Sequence, residues 1–202
     1  MPVHTEPLDR EADVPEPARL IRDFLNTLER QIGDESLDTP AALRGWMAGR
    51  GLLDADARLD EHDLAAATAI REGLREVLRS HTPEPADAAD QKAVAAERHA
   101  VIGAMNRALG DLPMRVEITV DTVRTLPTGD APFARAISGI LDAVRQTREA
   151  GGWSRLKICA RHSCLWAFYD TSRNQTRRWC SMAGCGNHVK MKRAYARRTG
   201  RG

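Results

Sequence analysis

The residues best equipped for chemistry are the four cysteines, Cys159, Cys164, Cys180 and Cys185, all near the C-terminal end of a 202-residue chain. They form two C-x4-C pairs with fifteen residues between them. Four thiolates held as two close pairs suit one tetrahedral Zn(II), with Zn–S bonds of about 2.3 Å. Two other chemistries use four cysteines. Disulfides need an oxidising compartment, and nothing in the sequence points to one. An iron–sulfur cluster also takes four thiolates, but the closely repeated C-x2-C spacing of ferredoxins is missing. His162 or His188 could stand in for one sulfur. A closed four-sulfur site has no open position for water or substrate, so the expected role is structural Zn2+, one per chain. A segment of about 50 residues buries too little apolar surface to fold securely alone. Metal binding can supply the difference, on the order of 10 kcal/mol in small zinc modules. Trp166, Phe168, Tyr169 and Trp179, lying between the pairs, would pack around the metal.

The second chemical signal is charge. The chain carries 30 Lys and Arg against 28 Asp and Glu, a formal net of +2. Residues 153–202 hold twelve of the basic residues and a single acid, Asp170, a net of +11. The rest of the chain, with 18 basic and 27 acidic residues, has a net of −9. A basic module joined to an acidic one implies a polyanionic partner. After Cys185-Gly186 the run N-H-V-K-M-K-R-A-Y-A-R-R reads as a helix. Lys190, Arg193 and Arg197 fall within an arc of about 60° on it, with Met191 and Tyr195 on another side, placed to pack on the metal module. Arg173, Arg177 and Arg178 add a second basic patch between the cysteine pairs, and Asn174 and Gln175 beside them could read base edges or simply make a turn. A solubilising basic tail is the plainer reading of the helix. Asp170 is expected to pair with one of the surrounding arginines and fix the fold.

The elements that must position these groups are mostly helical. Residues 1–14 read as a disordered lead-in. Leu20, Ile21, Phe24, Leu25, Leu28 and Ile32 recur at helical steps, and Gly33 is expected to end that helix. Asn26 and Thr27 are expected at solvent-facing or hydrogen-bonded positions. Thr39-Pro40 is a helix start, a Thr cap followed by Pro at the first helical position; Leu43, Trp46 and Met47 share one side, and Leu52 and Leu53 tuck into the core. A third helix spans about 57–80, residues 81–87 form a Pro-containing linker, and a fourth helix runs about 88–109. Met114, Val116, Ile118 and Val120 then alternate with polar residues, which predicts a strand buried on one face, with Val123–Leu126 as its antiparallel partner. A fifth helix covers about 132–149, and Gly151-Gly152 reads as a hinge. Glu72 and Glu76 read as a solvated helix face. The fold class is α+β: a mostly helical N-terminal domain with a small β-hairpin over 15–150, then a four-cysteine module over 153–202 that ends in a basic helix.

Several functions are set aside. There is no G-x-G-x-x-G and no Walker-type loop, no G-x-S-x-G and no H-E-x-x-H. No catalytic constellation emerges, so an enzyme is not expected. No apolar stretch approaches the ~20 residues of a membrane span, and the first residues lack the apolar region of a signal peptide. A cytoplasmic protein with reduced thiols is expected.

These residues resemble the CGNR zinc finger. That family's pattern has two C-x4-C pairs, an F-x-D-x-[ST] element, basic residues and a Trp between them, and C-G-N-R followed by a lysine. Phe168, Asp170 and Ser172 stand in that register, as do Arg173, Asn174, Arg177, Arg178, Trp179, Cys180, Cys185, Gly186, Asn187 and Lys190. His188 stands where the family has Arg, which implies weaker or pH-dependent contacts if that Arg touches DNA, and little change if it is structural. The runs Phe24–Leu28, Leu37–Leu43 and Gly51–Leu53 resemble the ABATE-type domain that precedes this finger. The resemblance implies a bacterial transcription regulator linked to stress: a DNA-binding finger using Arg173, Asn174, Arg177, Arg178, His188, Lys190, Arg193 and Arg197, joined to a domain that senses a small-molecule ligand or forms a homodimer. The rival expectation is an adaptor whose finger grips RNA or protein.

Overall fold

The computed structural model describes residues 11–81 and 88–199. The predicted lead-in therefore falls largely outside the described residues, as does the linker after His81; Val14, at the lead-in's end, is buried. Helix α1 (Glu16–Leu25) starts with Pro17 in its first turn and buries Ala18, Ile21, Phe24 and Leu25. It ends well before Gly33. Asn26 and the Leu25 carbonyl are engaged by partners far along the chain, and these outcompete the next helical turn, which local periodicity alone would have continued. In place of that turn the chain makes a small antiparallel hairpin, β1 (Leu28–Glu29) with β2 (Asp34–Glu35), and Gly33 takes the left-handed conformation in its turn at φ +71°. Ile32, expected on the buried stripe, is exposed.

Helix α2 (Pro40–Ala48) is capped as its sequence dictates, with the Thr39 hydroxyl accepting the Ala42 N–H at 3.2 Å. Leu43 and Met47 are buried, and Leu53 enters the core behind it. Helix α3 (Glu61–Arg79) opens on a capping box between Asp60 and Asp63. Its buried side holds Ala67, Ile70, Leu74 and Leu78, and also two arginines, Arg71 and Arg75, each only 1 % exposed. Helix α4 (Ala88–Gly110) packs antiparallel against α3, with Met105 over Gly73. The hairpin β3 (Met114–Ile118) with β4 (Val123–Pro127) has the expected pairing, Val116 opposite Thr125. Its apolar face is not buried: Val116, Ile118, Val120 and Val123 are all exposed, because no layer lies over them among the described residues. Helix α5 (Pro132–Glu149) packs on α1 and places Phe133, Ile137 and Ile140 in the core.

Gly151-Gly152, read as a hinge, is a hydrogen-bonded turn that ends α5. Gly151 has φ +70° and its N–H meets the Arg148 carbonyl; the Gly152 N–H meets that of Thr147. Gly152 is buried, and a Cβ there would lie 3.0 Å from the Tyr169 hydroxyl. The third hairpin, β5 (Leu156–Ile158) with β6 (Ala167–Tyr169), follows at once. Its two faces go to different places, as strand alternation requires. Leu156, Ile158, Ala167 and Tyr169 face the helical core, against α1 and α3. Phe168 faces a separate cluster made of the four cysteines with Trp166 and Trp179. Tyr169 thus belongs to the helical core, not to the aromatic set around the cysteines. The chain ends with a π-turn (Met182–Gly186) running into helix α6 (Asn187–Thr199).

Candidate metal centre

Short loops set the four sulfurs. Cys159 lies one residue beyond β5, and its N–H meets the Trp166 carbonyl at 2.9 Å. The loop then turns back on itself, with the Cys164 and Leu165 N–H groups both meeting the Arg161 carbonyl. Cys180 follows the 171–179 loop, and Cys185 sits in the π-turn, where the Ser181 hydroxyl accepts the Gly184 N–H at 3.1 Å. All four thiols are free and buried, and their sulfurs lie within 4.8 Å of one another. Cys164–Cys180 and Cys180–Cys185 are each separated by 3.8 Å.

That spacing bears on the chemistries left open by the sequence: it fits four ligands around one metal ion and does not fit disulfides. A disulfide needs about 2.05 Å. A tetrahedron with four Zn–S bonds of about 2.3 Å has edges of about 3.8 Å. Two of the sulfur–sulfur distances match that edge and all four sulfurs lie within 4.8 Å of one another, while neither His162 nor His188, both exposed, joins the cluster. Without a cation the cluster cannot hold four negative charges. Hydrogen bonding among the sulfurs, with Cys159 foremost, pushes the Cys164 and Cys180 thiols up and pulls Cys185 down. A divalent ion removes this conflict by accepting all four as thiolates. Two N–H donors already face the cluster: the Arg161 Nη1 lies 3.8 Å from the Cys185 Sγ, and the Gln31 Nε2 lies 3.5 Å from the Cys164 Sγ. The other cluster of metal-ligating types, Asp60, His62 and Asp63, caps α3.

The loop between the pairs is held from beneath. Asp170 is fully buried and accepts from the Lys157 Nζ at 2.8 Å, from the Ser172 N–H and hydroxyl at 3.0 and 2.6 Å, and from the Arg177 N–H at 3.0 Å. Its ionic partner is thus a lysine, where the sequence suggested an arginine. Burial opposes its charge, but Lys157, Ser172 and Arg177 outweigh burial and hold the carboxyl below its ordinary value. Lys157, 5 % exposed, also donates to the Gln175 and Arg177 carbonyls, and Arg155 donates to those of Asp170 and Ser172. Gln175 sits at φ +50° with its side chain on the Ser154 hydroxyl, so it serves the turn.

The eight sequence-predicted contact residues separate into groups. Arg173 and Asn174 are exposed at the loop tip. Arg177 is half-buried: it donates to the Cys180 carbonyl at 2.7 Å, and its guanidinium lies 5.0 Å from the Phe168 ring centre. It therefore braces the cysteine cluster. Arg178 lies beside the Trp179 ring. His188 and Lys190 are exposed on α6. Arg193 and Arg197 belong to the same helix, but their side chains lie outside the described residues. Met191 and Tyr195 do not pack on the metal module; they are 72 % and 64 % exposed. Among the described residues helix α6 packs mainly on the turn that leads into it, and its described side chains from Lys190 onward are exposed.

Asn26 and Thr27 are hydrogen-bonded, one of the two expectations for them; sequence reasoning missed their partners and the buried polar residues that gather near where the two halves meet. Asn26 pairs with the backbone of Ala167 in both directions, at 2.9 and 2.8 Å. Arg75 donates to the Leu165 and Leu25 carbonyls, and the His81 Nδ1 lies 2.8 Å from the Leu156 oxygen. Arg71 grips both carboxylate oxygens of Glu35 and the Thr27 hydroxyl. Glu72, far from lying on a solvated face, is shared by Arg30, Arg71 and Arg75. Burial acts to raise its pKa, but the three guanidinium groups hold it below the ordinary carboxylate value. The helical F-L-N-T-L run held the one local sign of this, a polar pair inside an apolar stripe.

Two family models match the chain. The ABATE model, described as "Putative stress-induced transcription regulator", matches residues 18–143. The CGNR zinc finger model matches residues 155–198. No curated protein matches.

Proposed function

Since this chain belongs to the ABATE family and carries a CGNR zinc finger, we propose that it is a zinc-dependent DNA-binding transcription regulator. The four cysteines hold one structural Zn2+, and the metal is a scaffold, not a catalyst. Among the described residues no helix is long and apolar enough to cross a membrane.

The observation that carries this reading is helix α6. It begins two residues after the fourth cysteine, packs mainly on the turn before it among the described residues, and carries exposed Lys190, Lys192 and Arg198. Arg173 and Asn174 on the braced loop tip add a second exposed group. Such surfaces contact phosphate, with a helix also able to enter a major groove. If about six basic residues touch phosphate, the logarithm of affinity falls with the logarithm of salt concentration at a slope of about −5. Anisotropy titrations with duplex DNA over a range of salt measure that slope. Arg193→Ala with Arg197→Ala should weaken binding and flatten the slope without loss of zinc. Retained affinity in that double variant sinks the α6 assignment. Binding to RNA or a captured protein, with no binding to duplex, favours the adaptor reading.

For the helical part, two features support the two expected roles. An open cavity of about 490 Å³ lies between α1, the end of α2 and α5, lined by Arg19, Leu20, Asp23, Arg50 and Gln146 among others, and its size suits a small ligand. The uncovered Val116, Ile118, Val120 and Val123 face suits a second copy of the chain. Sedimentation of the protein and of an Ile118→Lys variant separates these roles.

A further inference from the structure

We propose that the helical domain completes the metal centre from outside, with Gln31 as a positioning residue for the Cys164 thiolate, so that metal occupancy and the folding of the 26–35 segment form one coupled equilibrium. The inference rests on the metal assignment and is independent of what the finger binds.

Three contacts converge on the residues that follow Cys164. Gln31, in the turn between β1 and β2, points its amide nitrogen at the Cys164 Sγ from 3.5 Å. Leu165 comes next. It has φ +52°, a left-handed conformation that a branched side chain adopts only when its surroundings enforce it. Its side chain is 9 % exposed in the helical core, and its carbonyl accepts from the Arg75 Nη1 at 2.8 Å. Ala167, two residues on, is paired in both directions with Asn26. Asn26 and Gln31 flank β1, and Arg75 also holds the Leu25 carbonyl at the end of α1. The loop that presents Cys164 is therefore clamped by α1, α3 and the β1–β2 hairpin together.

Four thiolates around one Zn(II) carry a formal charge of −2. N–H donors aimed at the sulfurs disperse that charge and orient the ligands, and such outer-sphere partners affect metal retention strongly. Arg161 supplies one donor from within the finger, and Gln31 supplies another from the helical domain. When the metal leaves, the C-x4-C loop loses its anchor. Leu165 is then free to leave its strained conformation, and buried Arg75 loses an acceptor it cannot replace with water. Linkage makes the effect reciprocal: whatever loosens 26–35 also loosens the metal.

The test uses the full chain loaded with zinc, or with cobalt(II) as a spectroscopic probe. Gln31→Met keeps the shape and removes the donor; Gln31→Glu turns a charge toward the sulfurs. Zinc release to a chromogenic chelator should be about tenfold faster in Gln31→Met and faster still in Gln31→Glu. The sulfur-to-cobalt charge-transfer band should shift in both while keeping four-thiolate intensity. In the unaltered protein, hydrogen exchange at 26–35 and 71–79 should accelerate when the metal is removed, with 132–149 less affected. Release within twofold of the unaltered protein in both variants, or exchange at 26–35 indifferent to metal, overturns the coupling. A folded protein that takes up neither zinc nor cobalt overturns the metal assignment, and this inference with it.

Discussion

Replacing Asp170 with Asn should destabilise the finger more than any other single polar change in it. The carboxylate is fully buried and is the only acid in the 153–202 stretch. It accepts four hydrogen bonds, and one comes from the ammonium of Lys157, itself 5 % exposed. Removing one partner of a buried pair leaves the other charge uncompensated, at about 3–5 kcal/mol. Part of that is recovered here, because Lys157 keeps the Gln175 and Arg177 carbonyls, so the lower end, about 3 kcal/mol, is expected for Asp170→Asn. Lys157→Met should cost a similar amount by stranding the carboxylate. The double variant should cost clearly less than the two together, since no buried charge is then left alone, with a coupling of about 2 kcal/mol. Urea unfolding of the zinc-loaded protein, followed by tryptophan fluorescence from Trp166 and Trp179 beside the cluster, reads these differences. Additive losses, or a single-variant loss below about 1 kcal/mol, refute the claim that this pair holds the 171–177 loop, because surface pairs fall in that lower range.

Two further outcomes follow from the helical part. Glu72 and Asp170 both have folded-state pKa values below their ordinary ones. Their contribution is present above the unfolded carboxylate value of about 4 and is lost as pH falls through the folded values. Glu72→Gln should therefore cost about 2 kcal/mol at pH 7 and flatten the acid side of the stability–pH curve measured by denaturant unfolding, with an unchanged slope as the contrary result. Gly73→Ala should lower the melting temperature by about 4–8 °C, because the added Cβ would lie 2.3 Å from the Met105 Cβ and force α3 and α4 apart; a melting curve like that of the unaltered protein would mean the two helices separate without cost.

The cysteine cluster and most helices were legible because their signals are local. C-x4-C spacing, the Thr39-Pro40 cap and the 3.6-residue stripes of α3 and α5 each act within a few residues. The errors turn on tertiary packing that local sequence does not carry: in some places a partner far along the chain, in others a covering layer that is not there among the described residues. The apolar steps at Leu28 and Ile32 continue the pattern of α1, yet the helix stops where Asn26 meets Ala167, 141 residues on. Glu72 reads as part of a solvated face, yet it is shared by Arg30, Arg71 and Arg75, and the last two point inward to carboxylate and carbonyl acceptors, one of them at Leu165. Alternation in Met114–Val120 gives the strand, but no feature of a strand tells whether another layer will cover it. Met191 and Tyr195 fail likewise: helical spacing puts them on one side without supplying a surface to meet.

The union of finger and helices has a physical reason that also bears on function. A module of this size is short of apolar burial, and zinc supplies part of what is missing. The β5–β6 hairpin supplies the rest by alternation, giving Leu156, Ile158, Ala167 and Tyr169 to the helical core while Phe168 serves the cysteines. The finger is thus not a bead on a linker. Its first cysteine pair is welded to α1 and α3, whereas its second pair leads into α6, which rests on little beyond the turn before it. Within the finger, a metal held by all four cysteines would join the clamped half to the protruding half. If a metal binds all four cysteines as proposed, a change in the helical domain that shifts Leu165 or Asn26 would be passed through Cys164 toward Cys185 and the base of α6. A regulator built this way needs no flexible hinge to relate its two ends.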